Sequence, residues 1–379
     1  MMYGINIRRE LHMHPEVGFD LPYTLSVVRR ELSRFGIPFT EKYGKSSIVA
    51  TINANSPKKA LAIRADMDAL PIIEVNDVPY KSLYEGKMHA CGHDVHTAIL
   101  LDMARKLLEN KYKLTRPIKL IFQSAEEGGG GGRLMVNDGV LDEVEEIIAI
   151  HVNTTEVGNA QFIYGPSNSA CAHLKIEFFG TSAHSAMQEH GADAILMAVQ
   201  ALSAIENYIA KRIPACTPVL FNAGTIEGGT ASNIIAQYCS VNCHVRSWDD
   251  TVLDKLLDAI DDIVESTARI LGGKGTVQNS GTTPVLVHDN KVTDHIRLAA
   301  EQVLGKEHVY EMTRAMASED FAVFAQQCPA SMLRLGAGNK QKGITSPVHT
   351  NSFDVDERCI NLGSEIYVAY LKNRMIFEA

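Results

Sequence analysis

Residues 95–122 read VHTAILLDMARKLLENKYKLTRPIKLIF. Apolar side chains recur at helical spacing from about Val95 to Asn110, and the stretch then changes to a short continuous apolar run, Ile118–Phe122. Runs of the same kind flank it: Ser47–Ile52 and Leu61–Ala65 before, Glu146–Ile150 after. Strands that are apolar at every position are buried on both faces. Separated by helices, they predict an α/β fold with a mostly parallel sheet. Helical spacing also appears near residues 22–35 and stops at Gly36 and Pro38.

The middle of the chain follows a different plan. Leu174–Phe179 reads as a strand, 192–211 as a long amphipathic helix, and Val219–Gly224 and Tyr238–Arg246 as strands. A second helix from about Thr251 to Leu271 carries Leu253, Leu256, Leu257, Ile260, Ile263 and Val264 on one stripe and ends at Gly272–Gly273. This set has its own candidate core. It predicts an inserted α+β domain, residues 172–283, within an α/β domain formed by 1–171 and 284–379, where Ser331–Gly336 is a further strand. The 379 residues suit two cores better than one.

Composition narrows the function. With 45% hydrophobic and 21% charged residues the chain is globular, and a formal net charge of −9 argues against a nucleic-acid partner. No run approaches the roughly 18 apolar residues of a membrane helix. The start, MMYGINIRRELHMH, has charges where a signal peptide would be apolar, so a cytoplasmic location is expected. The seven cysteines are scattered and odd in number, which suits a reducing compartment rather than a disulfide framework.

The densest group of reactive side chains is Met88–His96, MHACGHDVH, just before the helix at Val95. In an extended turn Cys91 and His93 would share a side and point at one ion. Glu126 and Glu127 follow the strand ending near Phe122, at the carboxyl edge where α/β sheets bind ligands; one can ligate a metal while the other acts as base. His151 follows the run Glu146–Ile150 at the same edge, and His349 lies in a late loop. Thiolate, imidazole and carboxylate suit zinc or manganese, with cobalt or nickel as further options, and five ligands exceed one tetrahedral site. Two metals sharing a bridging group are expected. The glycine run after Glu127 lacks the Gly-Lys-Ser/Thr ending of a phosphate loop, and no G-x-S-x-G elbow occurs. A thiol hydrolase built on Cys91 leaves Glu126, Glu127 and His349 without a role.

On these residues the sequence resembles the M20 metallopeptidases and amidohydrolases, and within them the M20D branch of N-acyl-amino-acid amidohydrolases, hippurate hydrolases, auxin-conjugate hydrolases and N-acetyl-diaminopimelate deacetylases. The similarity runs collinearly through RRELHMHPEVGF (Arg8–Phe19), RADMDALPI (Arg64–Ile72), MHACGHDVHTA (Met88–Ala98) and IFQSAEEGGGGG (Ile121–Gly132). It continues in GTSAHSAMQEHGADAI (Gly180–Ile195), GGTASNIIA (Gly228–Ala236), VRSWDD (Val245–Asp250), SEDFAVF (Ser318–Phe324) and the segment around His349.

The resemblance implies that Cys91 bridges two divalent ions (Zn, Mn, Co or Ni), with Glu127 and His349 completing one site and His93 and His151 the other. Glu126 would be the catalytic base, and Asp68 the aspartate that orients a ligand. It further implies that the insertion is a lid and the interface of a homodimer. There His184 would reach the substrate carbonyl, and Asn233 and Arg246 would grip the substrate carboxylate. The expected activity is hydrolysis of the amide of a small N-acyl-amino acid, with a metallo-carboxypeptidase or dipeptidase as the alternative. The sequence departs from the pattern at Ser124 and Ala236, where proline is usual, and in Thr181-Ser182-Ala183-His184-Ser185 around the lid histidine. None of these departures removes an expected ligand.

Overall fold

The computed structural model describes residues 2–374; the first residue and the last five of the expected catalytic range lie outside it. The described chain divides into two compact units. One comprises residues 2–167, 287–314 and 320–374, the other residues 168–286 and 315–319.

The larger unit is built on an eight-stranded sheet. Its order is Phe39–Thr40, Ile48–Ile52, Ile118–Gln123, Ala60–Asp66, Val144–Glu156, Ala330–Gly338, Ala160–Phe162, Val309–Glu311. The four central strands, from Ile118–Gln123 to Ala330–Gly338, run parallel, and antiparallel pairings occur only on either side of them. Ala60–Asp66 and Ile118–Gln123 are buried at every position, as runs covered on both faces must be. The helix Met2–Met13 packs on His93–Glu109, which packs on Arg358–Asn373, which in turn packs on Asn290–Leu304. Met2–Met13 has no counterpart in the expected elements. Its apolar stripe is thin, and the charged Arg8 and His12 are among its buried residues.

Two differences from expectation bear on the site. The strand expected over Glu146–Ile150 does not stop there but runs from Val144 to Glu156, so His151 lies within it rather than after it. Cys91 and His93 are not on an extended turn: Gly92 takes a left-handed conformation and His93 opens the helix His93–Glu109. A β-carbon on Gly92 would lie 2.4 Å from Val152 Cγ2, so the turn needs glycine for space as well as for φ.

The second unit is a four-stranded antiparallel sheet in the order Lys274–Thr283, Ala170–Phe179, Tyr238–Ser247, Val219–Gly228. The helices Ala194–Arg212 and Asp250–Ile270 cover one face and enclose a core that includes Leu174, Ile176, Phe178, Val241, Leu256 and Ile260. Their N-termini are capped by Asp193 and Asp249, whose carboxylates accept the first backbone N–H groups. The edge strand Val219–Gly228 is exposed along most of its length.

Candidate metal centre

The parallel register brings the expected ligands of the larger unit to one level. Arg64 pairs with Ala149 and Asp66 with Gln123, so His151, two residues past Ala149, stands level with Asp66 at the end of the adjacent strand and, one strand further on, with Gln123. Asp68 and the pair Glu126–Glu127 follow directly from those strand ends. Ala125, just before the glutamates, sits in the left-handed region at φ 52°, and so does His349 at φ 64°. Each costs about 1 kcal/mol or more for a residue with a β-carbon, and both flank the same site. Gly131 closes the turn after the glutamates, since a β-carbon there would lie 1.8 Å from the Ser124 carbonyl oxygen.

The side chains then converge. Cys91, His93 and His151 place one ligand atom each within 4.8 Å of one another, and so do Cys91, Glu127 and His349. These two triads share Cys91. Cys91 Sγ is 3.5 Å from His151 Nε2, and Glu127 Oε1 is 3.3 Å from His349 Nε2 and 3.7 Å from His93 Nε2. The buried nitrogens of His93 and the buried Glu127 Oε1 make no hydrogen bond, although buried polar atoms left unpaired are costly. A pair of cations would take up Glu127 Oε1 and one nitrogen of His93, whose Nδ1 faces Asp68 at 3.5 Å, and the residues present fit such a pair.

Hydrogen bonds sort the neighbouring imidazoles into different tasks. His151 Nδ1–H donates to the Val152 carbonyl at 2.7 Å, which leaves the Nε2 lone pair facing Cys91. His96 has both nitrogens engaged. Nδ1–H donates to Asp66 Oδ1 at 2.5 Å, and Nε2 accepts the Val152 N–H at 2.9 Å. It therefore fixes the strand beside His151 and has no nitrogen left for a metal. His89 is buried with neither nitrogen hydrogen-bonded, and burial pushes its pKa down to about 3, so it is a neutral packing group.

Protonation states follow from burial and charge. Burial pushes the Cys91 thiol up to about 12, against the pull of His93, so a thiolate there requires a cation at close range. Burial opposes the His93 imidazolium, yet Asp66 and Cys91 outweigh it and raise its pKa well above the ordinary value. Burial also works against the Glu127 carboxylate, but His349 and His93 hold its pKa below the ordinary value. Asp68 accepts the backbone N–H groups of Glu126 and Glu127 at 3.0 and 3.2 Å and lies 3.5 Å from His93 Nδ1. One carboxylate thus steadies the glutamate turn and faces His93. Glu126 Oε1 accepts the Asp320 N–H at 3.3 Å.

Sequence reasoning missed the charged layer beneath the site. Arg64, buried within its strand, donates to Asp66, Gln123 and Asp320 at 2.5, 2.9 and 2.8 Å. Arg8 and His12 converge on Asp94 at 2.9 and 2.7 Å. The available signal was a charge inside an apolar run, as in LAIRAD, because a buried charge must be paired.

The remaining expected site residues lie in the second unit. The segment around His184 pairs with that around Ile234, and the Ser185 N–H donates to the Asn233 carbonyl, which brings His184 and Asn233 side by side, both exposed. His184 Nδ1 accepts the Ala186 N–H at 3.1 Å, so in the neutral ring the proton is on Nε2. Arg246 lies on the strand Tyr238–Ser247 and donates from Nη1 to the Met316 carbonyl at 3.0 Å.

The chain is similar to known proteins along nearly its whole length. The chain is 34% identical over 365 residues to thermostable carboxypeptidase 2 of Saccharolobus solfataricus, covering 95% of this chain and 92% of that one. It is 32% identical over 357 residues to the N-acetyl-L-cysteine deacetylase of Bacillus subtilis, covering 94% and 84%. A solved structure from Bacillus subtilis, described as a dinuclear metal-binding peptidase, superposes with a TM-score of 0.81 at 26% identity, covering 99% of this chain and 98% of that one. The profile of the peptidase family M20/M25/M40 matches residues 62–373, and the chain accordingly belongs to that family of metal-dependent hydrolases.

Proposed function

We propose that the protein is a dinuclear metal-dependent amidohydrolase that cleaves N-acyl-amino acids to a carboxylate and a free amino acid. The observation that carries this reading is the pair of donor triads joined at Cys91, with Glu126 beside them on a turn held by Asp68. Cys91, which the two triads share, would hold both ions together with Glu127 and His349 on one side and His93 and His151 on the other. Two divalent ions held there would supply Lewis acidity and lower the pKa of a bound water toward neutrality.

Glu126 takes the proton of the attacking water and delivers it to the departing amine nitrogen. His184, with its proton on Nε2, donates to the substrate carbonyl oxygen, and such a donor is worth about 3–4 kcal/mol when aimed at the oxyanion. Arg246 and Asn233 hold the substrate carboxylate through the guanidinium and the amide. The second unit serves as lid and as the surface of a homodimer. Its exposed edge strand Val219–Gly228 and the exposed Ile226, Leu196 and Val199 support that role. A reducing, cytoplasmic setting goes with this function, since Cys91 must remain a thiol to bind metal.

The relatives support the substrate class. One is named for deacetylation of N-acetyl-L-cysteine, and an Arabidopsis relative, 29% identical, is named as an IAA-amino acid hydrolase. The carboxypeptidase relatives favour a second reading in which the acyl part is a peptide. Both readings place a free carboxylate on the released residue. The test is hydrolysis of N-acetyl, N-benzoyl and longer N-acyl amino acids beside blocked dipeptides, with a chelator and metal add-back. Metal-dependent release from the N-acyl amino acids is expected. Release only from the peptides would transfer the assignment to the carboxypeptidase. Activity that survives chelation and dies with thiol alkylation would mean a Cys91 nucleophile instead.

A further inference from the structure

A second group of soft donors lies in the second unit, on the sheet face opposite its two helices. Cys171 and His173 are two residues apart on the strand Ala170–Phe179, so their side chains leave the same face. His244 stands directly across from His173 on the strand Tyr238–Ser247. The rings of His173 and His244 meet edge to face with centroids 4.2 Å apart, and Cys171 Sγ is 3.7 Å from His173 Nε2. The three ligand atoms lie within 4.8 Å of one another.

We infer that Cys171, His173 and His244 form a mononuclear site for a thiophilic divalent ion, with Zn2+ the best match, built from residues that have no part in the Cys91 centre. Tetrahedral bonds of about 2.3 Å to sulfur and 2.0 Å to nitrogen separate the two donor atoms by about 3.5 Å, close to what the Cys171–His173 pair presents. A thiol–imidazole hydrogen bond would account for that pair alone and leave the facing His244 unexplained.

The surroundings select the kind of ion. The groups that act on Cys171 and His173 are Arg246, His244 and Ser318, with no carboxylate among them, so oxygen-preferring ions such as Mg2+ and Ca2+ find little to hold them. Burial raises the Cys171 thiol while Arg246, paired with it across the strands, pulls toward the thiolate. Burial pushes His173 down, with His244 and Arg246 adding to it, and the neutral imidazole is the ligand form. Gly281 pairs with His173 on the other side, and a β-carbon there would meet no atom within 4 Å. Three protein ligands therefore leave the fourth position open to water or an anion, and the Arg246 charge favours the anion.

The full-length chain, stripped with a chelator and reloaded in micromolar Zn2+, gives the test by metal counting after gel filtration. Wild type is expected to retain one ion per chain more than the double variant His173→Asn, His244→Asn. Because only the difference is read, failure of the Cys91 centre lowers both counts and leaves the difference intact. Co2+ provides a second readout that does not depend on that variant. A thiolate-to-cobalt charge-transfer band should persist in Cys91→Ser and disappear when Cys171→Ser is added. Equal Zn2+ counts in wild type and double variant, or a Cys91→Ser spectrum that Cys171→Ser leaves unchanged, would overturn the site.

Discussion

Cys91 and His96 are neighbours in one buried segment, yet their surroundings give them opposite assignments. The thiol has no route to its reactive form without a cation, whereas the imidazole is fully occupied by Asp66 and the Val152 N–H. Cys91→Ser is therefore expected to weaken metal retention by an order of magnitude or more, measured as metal per chain after dialysis, because a serine hydroxyl is a poor substitute for a bridging thiolate. Two tightly held ions in that variant would contradict the bridge. Glu126→Gln should keep its metal and lose about 10²–10⁴-fold in kcat, as expected when a general base is removed. Arg246→Ala should raise KM for N-acyl amino acids with a free carboxylate and have little effect on their amides. An equal effect on both substrates would mean that the arginine does not recognise the carboxylate. At this scale the sequence offers candidate ligands but not how their side chains are held. The spacing of MHACGHDVH pairs His93 with Cys91 but does not tell how His89 and His96 are held: His96 is engaged by Asp66 and the Val152 N–H, and His89 has no hydrogen bond.

At the scale of elements, the buried strands carry their own electrostatic repair. Arg64 lies within Ala60–Asp66 and joins Asp66 to Asp320, residues 254 positions apart in the chain, while Gln123 completes the link. Arg64→Met would leave two buried carboxylates without their cation. We expect a loss of about 3–5 kcal/mol in unfolding free energy by urea denaturation, well beyond the change that equal apolar volume would cause. A loss below about 1 kcal/mol would mean that the carboxylates find other partners. The central strands were legible because uniform apolarity implies cover on both faces, and the helices of the second unit because their stripes are regular. The short edge strands Phe39–Thr40 and Val309–Glu311 were not. Two or three residues carry no period, and their pairing is set by distant neighbours.

For the whole molecule, pH acts through histidines kept neutral by burial. His288 is enclosed with Ser167 Oγ at 2.8 Å and Ser331 Oγ at 3.3 Å, and burial, helped by Arg334, pushes its pKa down to about 3. An unfolded chain binds a proton at this residue below about pH 6.5, whereas the folded one does so only near 3. Between those values the unfolded state holds more protons, so stability falls as pH falls, by up to about 1.4 kcal/mol per unit. His288→Gln should flatten this acid limb in denaturation midpoints taken from pH 7 to pH 4. Parallel curves for wild type and variant would show that another group sets it. The apolar rhythm changes near residue 172, and the second compact unit begins at Asn168. The allegiance of Ala315–Glu319 to the second unit is not legible in that rhythm, because five residues far down the chain reach it only through contacts such as Ser169 N–H to the Ala317 carbonyl. Cys171 and Thr283, where the chain enters and leaves the second unit's sheet, are partners on adjacent strands. Both ends of that long excursion are thus tied at one doorway. Its loops can lengthen, shorten or be exchanged for those of a cousin without shifting the register of the strands that carry His151 and Asp66.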